Sequence, residues 1–230
     1  MARGESRRGT AMALLGAALL ALAPQGALGF EAAERTALVE TLHCFGCNLA
    51  GAPLEGAALA GAYLTYTDLS GADMRGADLT DAYVRFANLE GTDLTDARMD
   101  GASLWDARLS RIVLVNASLE RSALQGATLR EGNLSGARLA GANIVNANLR
   151  SADLSGADLT GADLTRATLR GASLVGAVLV DARLDHTGLR EADLTDADLS
   201  GADITGTNFT DAVLCRTIMP DGQRDDSACP

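Results

Sequence analysis

Residues 152–171 read ADLSGADLTGADLTRATLRG, one five-residue phrase written four times. Its apolar centre is Leu154, and the same position recurs five residues later, at Leu159, and twice more. A period of five fits neither an α-helix, with about 3.6 residues per turn, nor a flat strand, with a period of about two. Alanine stands two positions before each centre, and an extended segment points residues i and i+2 to the same side. Each phrase therefore predicts a short extended segment that points one leucine and one alanine to the same side.

The same pattern extends far beyond this stretch. From Leu49 to Met219, every fifth position is apolar, which makes 35 centres without a slip. Glycine, aspartate or asparagine often closes a phrase, and these residues tolerate turns. The residue two before each centre is small in every phrase except one, which has Ile112. The bulk of Ile112 predicts a local bulge or a widened coil at that point.

The repeated A(D/N)LxG phrase, as in Ala157–Gly161, resembles the pentapeptide-repeat family over about residues 47–222. The resemblance implies an all-β repeat solenoid, a right-handed quadrilateral β-helix in which four phrases make one coil. The centre and the small residue would then face inward, and residues 20 apart would stack. About nine coils at ~4.8 Å each would give a rod roughly 40 Å long.

The first 29 residues predict an export signal. Three arginines precede the apolar run AMALLGAALLALA, which is too short for a comfortable membrane span, and a small-x-small end follows at residues 27–29. We therefore expect an exported protein, in the periplasm or outside the cell, or in the thylakoid lumen of a photosynthetic organism. Cleavage would remove three arginines and one glutamate and change the formal net charge from −11 to −13.

Both ends of the repeat predict caps, because an open stack of coils invites edge-to-edge association. Residues 30–46 include an amphipathic helix, which we expect to bury Phe30, Leu38, Val39 and Leu42. Residues 47–222 form the repeat, and residues 223–230 form a tail. Pro220, Asp221 and Gly222 predict a turn that folds the tail over the other end.

Four cysteines lie near the two ends of the predicted rod. Cys47 and Cys215 are 168 positions apart, or more than eight coils, whereas a disulfide needs Cα atoms within ~7 Å. This distance leaves the pairs Cys44–Cys47 and Cys215–Cys229. Both fit structural staples in an exported protein. The first pair also fits a redox dithiol, and, with His43, three of the four ligands of a zinc site. The segments HCFGCNLAGAPL and CRTIMPDG further resemble the ends of exported bacterial and chloroplast-lumen members of the family, which favours caps.

Two surface clusters stand out on the predicted rod. The first is aromatic, in a chain with only 3% aromatic residues, and it also places Arg85 one coil before a tryptophan. Its members either stabilise the early coils by stacking or form a binding surface. They are Tyr63, Tyr66, Tyr83, Phe86 and Trp105.

The second cluster is a series of arginines spaced by 20 residues, which would form a basic stripe on the next face of an acidic rod. Acidic neighbours such as Glu131, Asp153, Glu191 and Asp193 would neutralise it, or an anionic partner would dock along it. The series consists of Arg130, Arg150, Arg170 and Arg190.

These observations favour a non-enzymatic, exported scaffold or interaction protein that binds a protein partner as a monomer or weak dimer. The sequence offers no catalytic constellation, cofactor motif or complete metal site, and its two histidines, His43 and His186, have no evident nucleophile. Its acidic balance argues against nucleic-acid binding. One alternative follows from the resemblance, because some pentapeptide-repeat proteins protect DNA gyrase as acidic mimics of duplex DNA in the cytosol. A weaker alternative is a thiol-redox protein that uses Cys44 and Cys47.

Overall fold

The computed structural model describes residues 31–229, which form a four-cornered coil with a cap at each end. Parallel bridges join residues one coil apart, from His43↔Tyr63 to Asp198↔Ile218, always with a spacing of 20. Hydrogen bonds hold successive coils together on every side. For example, the Leu154 N–H donates to the Ser173 carbonyl oxygen at 2.8 Å, and the Asp153 N–H to that of Gly132 at 2.9 Å. The predicted 20-residue coil is therefore present throughout the repeat.

The interior contains the two positions that the sequence predicted. Centre residues and the small residues two before them are almost all buried, as at Leu154 and Ala152. Where threonine replaces alanine, its hydroxyl donates to a main-chain carbonyl one coil earlier, as from Thr92 to Leu69 at 2.7 Å. The core is thus a narrow apolar column in which these buried threonine hydroxyls are satisfied.

The corners share one conformation. Every fifth residue from 46 to 216, two positions after a centre residue, has a positive φ. At the corners from 51 to 211 the next N–H donates back to the centre carbonyl, as from Ala157 to Leu154 at 3.0 Å. Glycine occupies 17 of these 35 corners, which suits the left-handed conformation. The other corners hold bulkier residues, including Arg166 (φ 58°), in a conformation that costs such residues energy. The stacked coils must offset that cost.

Ile112 does not distort the coil, so the predicted bulge is wrong. Ile112 is buried, and its neighbour Val113 keeps the regular bridges to Asp93 and Asn133. The space comes from Gly132, which lies one coil later in the same inward column. A Cβ atom added there would lie 3.3 Å from Ile112 Cγ2 and 3.2 Å from Leu134 Cδ1. An unusually large residue is thus accommodated by an unusually small one.

This compensation makes Gly132 and Ile112 energetically coupled. We expect Gly132→Ala to lower the free energy of unfolding by about 1–3 kcal/mol, because the added methyl group overpacks the column. In the double variant Ile112→Ala/Gly132→Ala, which restores two ordinary phrases, the Gly132→Ala change should cost much less. Chemical denaturation of the four proteins in the cycle measures the coupling, and additive effects would contradict it.

The N-terminal cap is α1, Ala32–Thr41. Leu38 is fully buried and Leu42 half-buried, but Val39 is 55% exposed, so the prediction that Val39 packs inward is wrong. Val39 follows the buried residue by only one position, which turns it by about 100° around the helix axis. The Glu34 carboxylate accepts a hydrogen bond from the Asn48 N–H at 2.6 Å and ties the helix to the first coil. The predicted export signal and Phe30 lie outside the described residues.

The C-terminal cap is a small hairpin stapled to the last coil. Strand β1, Thr217–Ile218, pairs antiparallel with β2, Arg224–Asp225, across the predicted turn. Beyond it, Cys229 is bonded to Cys215, and the Asp226 carboxylate accepts a hydrogen bond from the Arg216 N–H at 3.1 Å. The hairpin closes only part of the end, because Ile204, Phe209, Leu214 and Met219 remain partly exposed.

Candidate interaction surface

Each of the four sides of the rod is formed by a four-residue segment that recurs every 20 positions. The aromatic face begins with residues 43–46 and 63–66, and the arginine face follows with 48–51 and 68–71. The first acidic face begins with residues 53–56 and the second with 58–61. In a closed four-sided coil the aromatic and arginine faces share a corner, and the two acidic faces form the opposite side.

The aromatic face carries a stacked ladder through three coils. The rings of Tyr63 and Tyr83 lie 4.8 Å apart with 11° between their planes. His43 extends the stack, with its ring 4.7 Å from that of Tyr63. Its Nδ1 lies 2.7 Å from the Thr41 carbonyl oxygen at the end of α1, which helps to orient the ring. Both faces of the Tyr63 ring are therefore covered by other rings.

A second ladder runs beside the first, along the adjoining corner. The Tyr66 and Phe86 rings stack at 5.1 Å, and Phe45 meets Tyr66 edge-on at 5.5 Å. Tyr66 and Phe86 both have a positive φ, near 60°, which is rare for aromatic residues. Cross-strand aromatic contacts of this kind each stabilise a sheet by a few tenths to about 1 kcal/mol, which helps to offset the strained backbone.

Trp105 ends the aromatic region on the next coil. The Arg85 guanidinium carbon lies 5.0 Å from the centre of the indole ring, a cation–π distance. The Arg85 Nε also donates to the Ser103 hydroxyl at 2.8 Å. Arg85 is thus held against one face of the ring, as its 20-residue spacing from Trp105 suggested.

The rings on this face are stacked and also partly exposed, so the stacking alternative describes their contacts, whereas the binding surface stays a prediction. The exposed fractions are 47% for Tyr63, 56% for Tyr66, 40% for Tyr83, 44% for Phe86 and 43% for Trp105. Sequence reasoning missed the first rungs, His43 and Phe45, of which Phe45 is 74% exposed. The 20-residue spacing between His43 and Tyr63 was a signal that could have found the first of them.

The arginine ladder lies exposed along the adjacent face. Arg170 forms a two-pronged ion pair with Glu191, with distances of 2.9 and 3.1 Å. Within residues 31–229, Arg130, Arg150 and Arg190 form no ion pair. The predicted neutralisation by neighbouring carboxylates is therefore realised at one rung.

Positive charge along the ladder also acts on Glu191. The hydrogen bond from Arg170 lowers the pKa of the Glu191 carboxyl, and burial opposes this only in part. The charges of Arg170, Arg190 and Arg150 lower the pKa further. The ladder thus favours the ionised form of the Glu191 carboxylate beside it.

Charge is divided unequally between the sides of the rod. The two acidic faces carry 15 acidic residues against five arginines. The arginine face carries six arginines against five acidic residues, and the aromatic face has three against four. The side formed by the aromatic and arginine faces is therefore nearly neutral, in a chain whose pI is about 4.6.

Most of the aspartates just before the centres serve the turns. The Thr80 N–H and hydroxyl both donate to Asp78 Oδ1, at 3.0 and 2.6 Å, and the pair Asp158 and Thr160 repeats this geometry. Arginines one coil away add ion pairs, such as Arg183 with Asp163 at 3.0 Å. These carboxylates have structural partners, which agrees with their interpretation as turn residues rather than acid–base pairs.

The turn aspartates predict a loss of stability in acid. Hydrogen bonds from the Thr80 hydroxyl and N–H hold the pKa of Asp78 below its usual value. A lowered folded-state pKa stabilises the fold above the unfolded pKa, near 4, and this stabilisation is lost as the pH falls through the folded value. Thr80→Val should therefore lower the thermal midpoint at neutral pH more than at pH ~2. Equal losses at both pH values, measured by circular dichroism, would contradict this assignment.

The other predicted chemical sites have simple structural settings. Cys44 and Cys47 are joined in a disulfide, so the sulfurs that a zinc site would use are bonded to each other. His186 is exposed, with Nδ1 2.7 Å from Asp185 Oδ1. Residues 31–229 contain no cluster of His, Cys, Asp and Glu able to hold a metal ion.

Sequence comparison identifies the class of protein that this fold defines. The family model of pentapeptide repeats matches residues 43–81, 77–114, 117–156, 133–171 and 172–211. The chain belongs to the pentapeptide-repeat family.

Solved structures give more particular likenesses. HetL, a pentapeptide repeat protein involved in heterocyst differentiation regulation in the cyanobacterium Nostoc sp. strain PCC 7120, is 33% identical, with 80% of this chain and 89% of HetL covered and a TM-score of 0.43. A trypsin-treated form of QnrB1, a plasmid-mediated fluoroquinolone resistance protein, is 18% identical over 74% of this chain and 90% of its own, with a TM-score of 0.57. The QnrB1 likeness concerns the fold alone.

A pentapeptide repeat protein from the Arabidopsis thaliana thylakoid lumen is 31% identical, with 45% of this chain and 68% of that chain covered and a TM-score of 0.26. No curated protein sequence matches the chain. Within residues 31–229, no helix has the length and apolar character needed to cross a membrane.

Proposed function

We propose that this chain is a non-enzymatic, exported pentapeptide-repeat rod that binds a protein partner, and that it winds with the right hand of its family. The observation that carries the proposal is the contact surface, by which we mean the five exposed aromatics and the arginine ladder. This surface occupies the side of the rod that is nearly neutral. Exposed aromatic and arginine side chains are the types enriched at protein interfaces.

Ring geometry favours a protein over a planar ligand or a sugar. Such ligands bind by lying on the face of an aromatic ring, but the faces of Tyr63 are covered by His43 and Tyr83. One face of Trp105 is covered by Arg85. The ladders mainly offer ring edges and hydroxyl groups, which suit the mixed apolar and polar packing of a protein interface.

The arginine ladder adds a charge requirement for the partner. Three of its guanidinium groups form no ion pair within residues 31–229, and Arg170 pairs with Glu191. A partner with carboxylates opposite these rungs would form charge-assisted hydrogen bonds. Such pairs at the rim of an interface mainly set orientation and association rate, so binding should weaken as salt rises.

Export predicts that the mature chain begins near residue 30. Cell fractionation followed by N-terminal sequencing should find the protein outside the cytosol, without the segment 1–29. An intact Met1 in the cytosolic fraction would contradict export. The protein would then share a compartment with cytosolic targets.

A second candidate function is binding to DNA gyrase as an acidic mimic of duplex DNA. The excess of acidic residues on two adjacent faces favours it, whereas the arginine ladder and the predicted export signal oppose it. A supercoiling assay tests this candidate directly. Protection of gyrase from poisoned cleavage would support mimicry, and substitution of acidic residues such as Asp158 and Asp198 should then weaken the protection.

A further inference from the structure

The Cys44–Cys47 disulfide forms an inward corner of the first coil. Cys44 occupies a centre position and is 2% exposed, Cys47 occupies the small-residue position of the next phrase, and Gly46 lies at the bend between them (φ 67°). One coil later, the same two positions hold Leu64 and Thr67, both buried. The disulfide therefore replaces, with a covalent bond, the packing of a large centre residue against a small one.

The residues on either side of Cys44 begin the two aromatic ladders. His43 stacks on Tyr63, and Phe45 lies edge-on to Tyr66. This segment is held on the side of the second coil, where the Cys44 N–H donates to the Tyr63 carbonyl oxygen at 2.8 Å. On its other side α1 takes the place of a coil. Without the covalent bond, neither position would hold a residue as large as Leu64, so we expect the position of His43 and Phe45 to depend on the disulfide.

We propose that the Cys44–Cys47 disulfide is a redox-sensitive clasp for the aromatic face. Its reduction by a dithiol loosens His43 and Phe45 from Tyr63 and Tyr66 and thereby weakens the contact surface. The effect on binding rests on the proposed function, whereas the effect on the ladders does not.

The chemistry is a thiol–disulfide exchange. A thiolate of the dithiol attacks Sγ of Cys47, which is the less buried of the two, forms a mixed disulfide and releases the Cys44 thiolate, which takes up a proton. The second thiolate of the dithiol then attacks the dithiol sulfur that is bonded to Cys47. This step releases the Cys47 thiolate, which is protonated in turn. The protein gains two electrons and two protons, and the dithiol leaves as a cyclic disulfide.

All three tyrosines of the chain lie in the ladders, so tyrosine signals report on them directly. The test uses the full mature chain with Cys215→Ser/Cys229→Ser. In this variant the reductant acts on the Cys44–Cys47 disulfide. Dithiothreitol should diminish its near-ultraviolet tyrosine circular dichroism while the far-ultraviolet spectrum is preserved. Amide hydrogen exchange at Cys44 and Gly46 should accelerate by about an order of magnitude, as expected for easier local opening.

The matched control adds Cys44→Leu/Cys47→Ala, which rebuilds an ordinary corner. Its tyrosine signal should equal that of the oxidised protein and should not respond to dithiothreitol. Unchanged tyrosine signal and exchange rates after complete reduction, verified by thiol alkylation and mass spectrometry, would overturn the clasp.

Partner capture by oxidised and reduced protein separates the two proposals. Weaker capture on reduction supports control of binding by the clasp, and equal capture overturns that control while leaving the proposed function intact. Failure of the oxidised protein to capture any partner through the contact surface counts against the proposed function. The spectroscopic comparison decides the clasp itself in either case.

Discussion

Leu159→Ala is expected to lower the free energy of unfolding by about 2–5 kcal/mol, because it leaves a cavity that the stacked coils cannot fill. Leu159 is completely buried in the central part of the rod. Its N–H is fixed by a 2.7 Å hydrogen bond to the Val178 carbonyl oxygen, so the main chain has little freedom to collapse inward. The neighbouring coils lose contacts on both sides, which is the usual cost in a repeat fold.

The matched control is Leu214→Ala, at the same phrase position in the last coil. Leu214 is only partly buried, so its removal should cost clearly less than removal of Leu159. Urea denaturation of both variants measures the difference. Equal losses would contradict the description of the core as a column that is tight inside and open at its C-terminal end.

Cys215→Ser/Cys229→Ser should destabilise the C-terminal cap by up to about 3 kcal/mol, the estimate for a loop of roughly 15 residues in the chain-entropy account. The hairpin rests on few other contacts, among them the Met219 N–H donating to the Gln223 carbonyl oxygen at 2.8 Å. We therefore expect the tail to open before the rod unfolds. Hydrogen exchange and limited proteolysis should locate the new accessibility between residues 214 and 229.

Two outcomes distinguish a local cap from a global staple. In the local case, exchange in the central coils, for example at Leu159, should remain as slow as in the unaltered protein. Faster exchange throughout the rod would show that the disulfide holds the whole fold. No change at Met219 would show that the hairpin needs no covalent link.

The five-residue period carried most of the fold information. It identified the two apolar positions of each phrase, and the family resemblance that it carries implied the 20-residue coil. That coil brought Tyr63 beside Tyr83 and Arg85 beside Trp105. This worked because each side chain in such a fold has a direction fixed by its place in the phrase. A residue one coil away is therefore a spatial neighbour wherever the register holds.

Features that depend on volume or on side-chain conformation were harder to predict. The fit of Ile112 depends on Gly132, which lies one coil later and outside the phrase that contains Ile112. The direction of Val39 depended on how α1 sits on the first coil, and a ten-residue helix with few apolar side chains specifies this weakly. The pairing of Arg170 with Glu191, and the absence of such a pair at Arg150 within the described residues, depends on rotamers that spacing alone does not set.

The central claim is that the side formed by the aromatic and arginine faces binds a protein partner. The most direct measurement is capture by the mature protein from its own compartment, compared quantitatively among surface variants. Tyr83→Ala and Arg150→Ala change the contact surface. Val178→Ala and Arg138→Ala are the matched apolar and charged controls on the second acidic face.

We predict that one partner is lost or strongly reduced with Tyr83→Ala and with Arg150→Ala, and is retained with both controls. All four proteins should keep the circular dichroism of the unaltered rod, so that a loss reports on the surface rather than on folding. Capture that persists with both contact-surface variants, or that is lost with the controls instead, would contradict the assignment of this side as the binding surface.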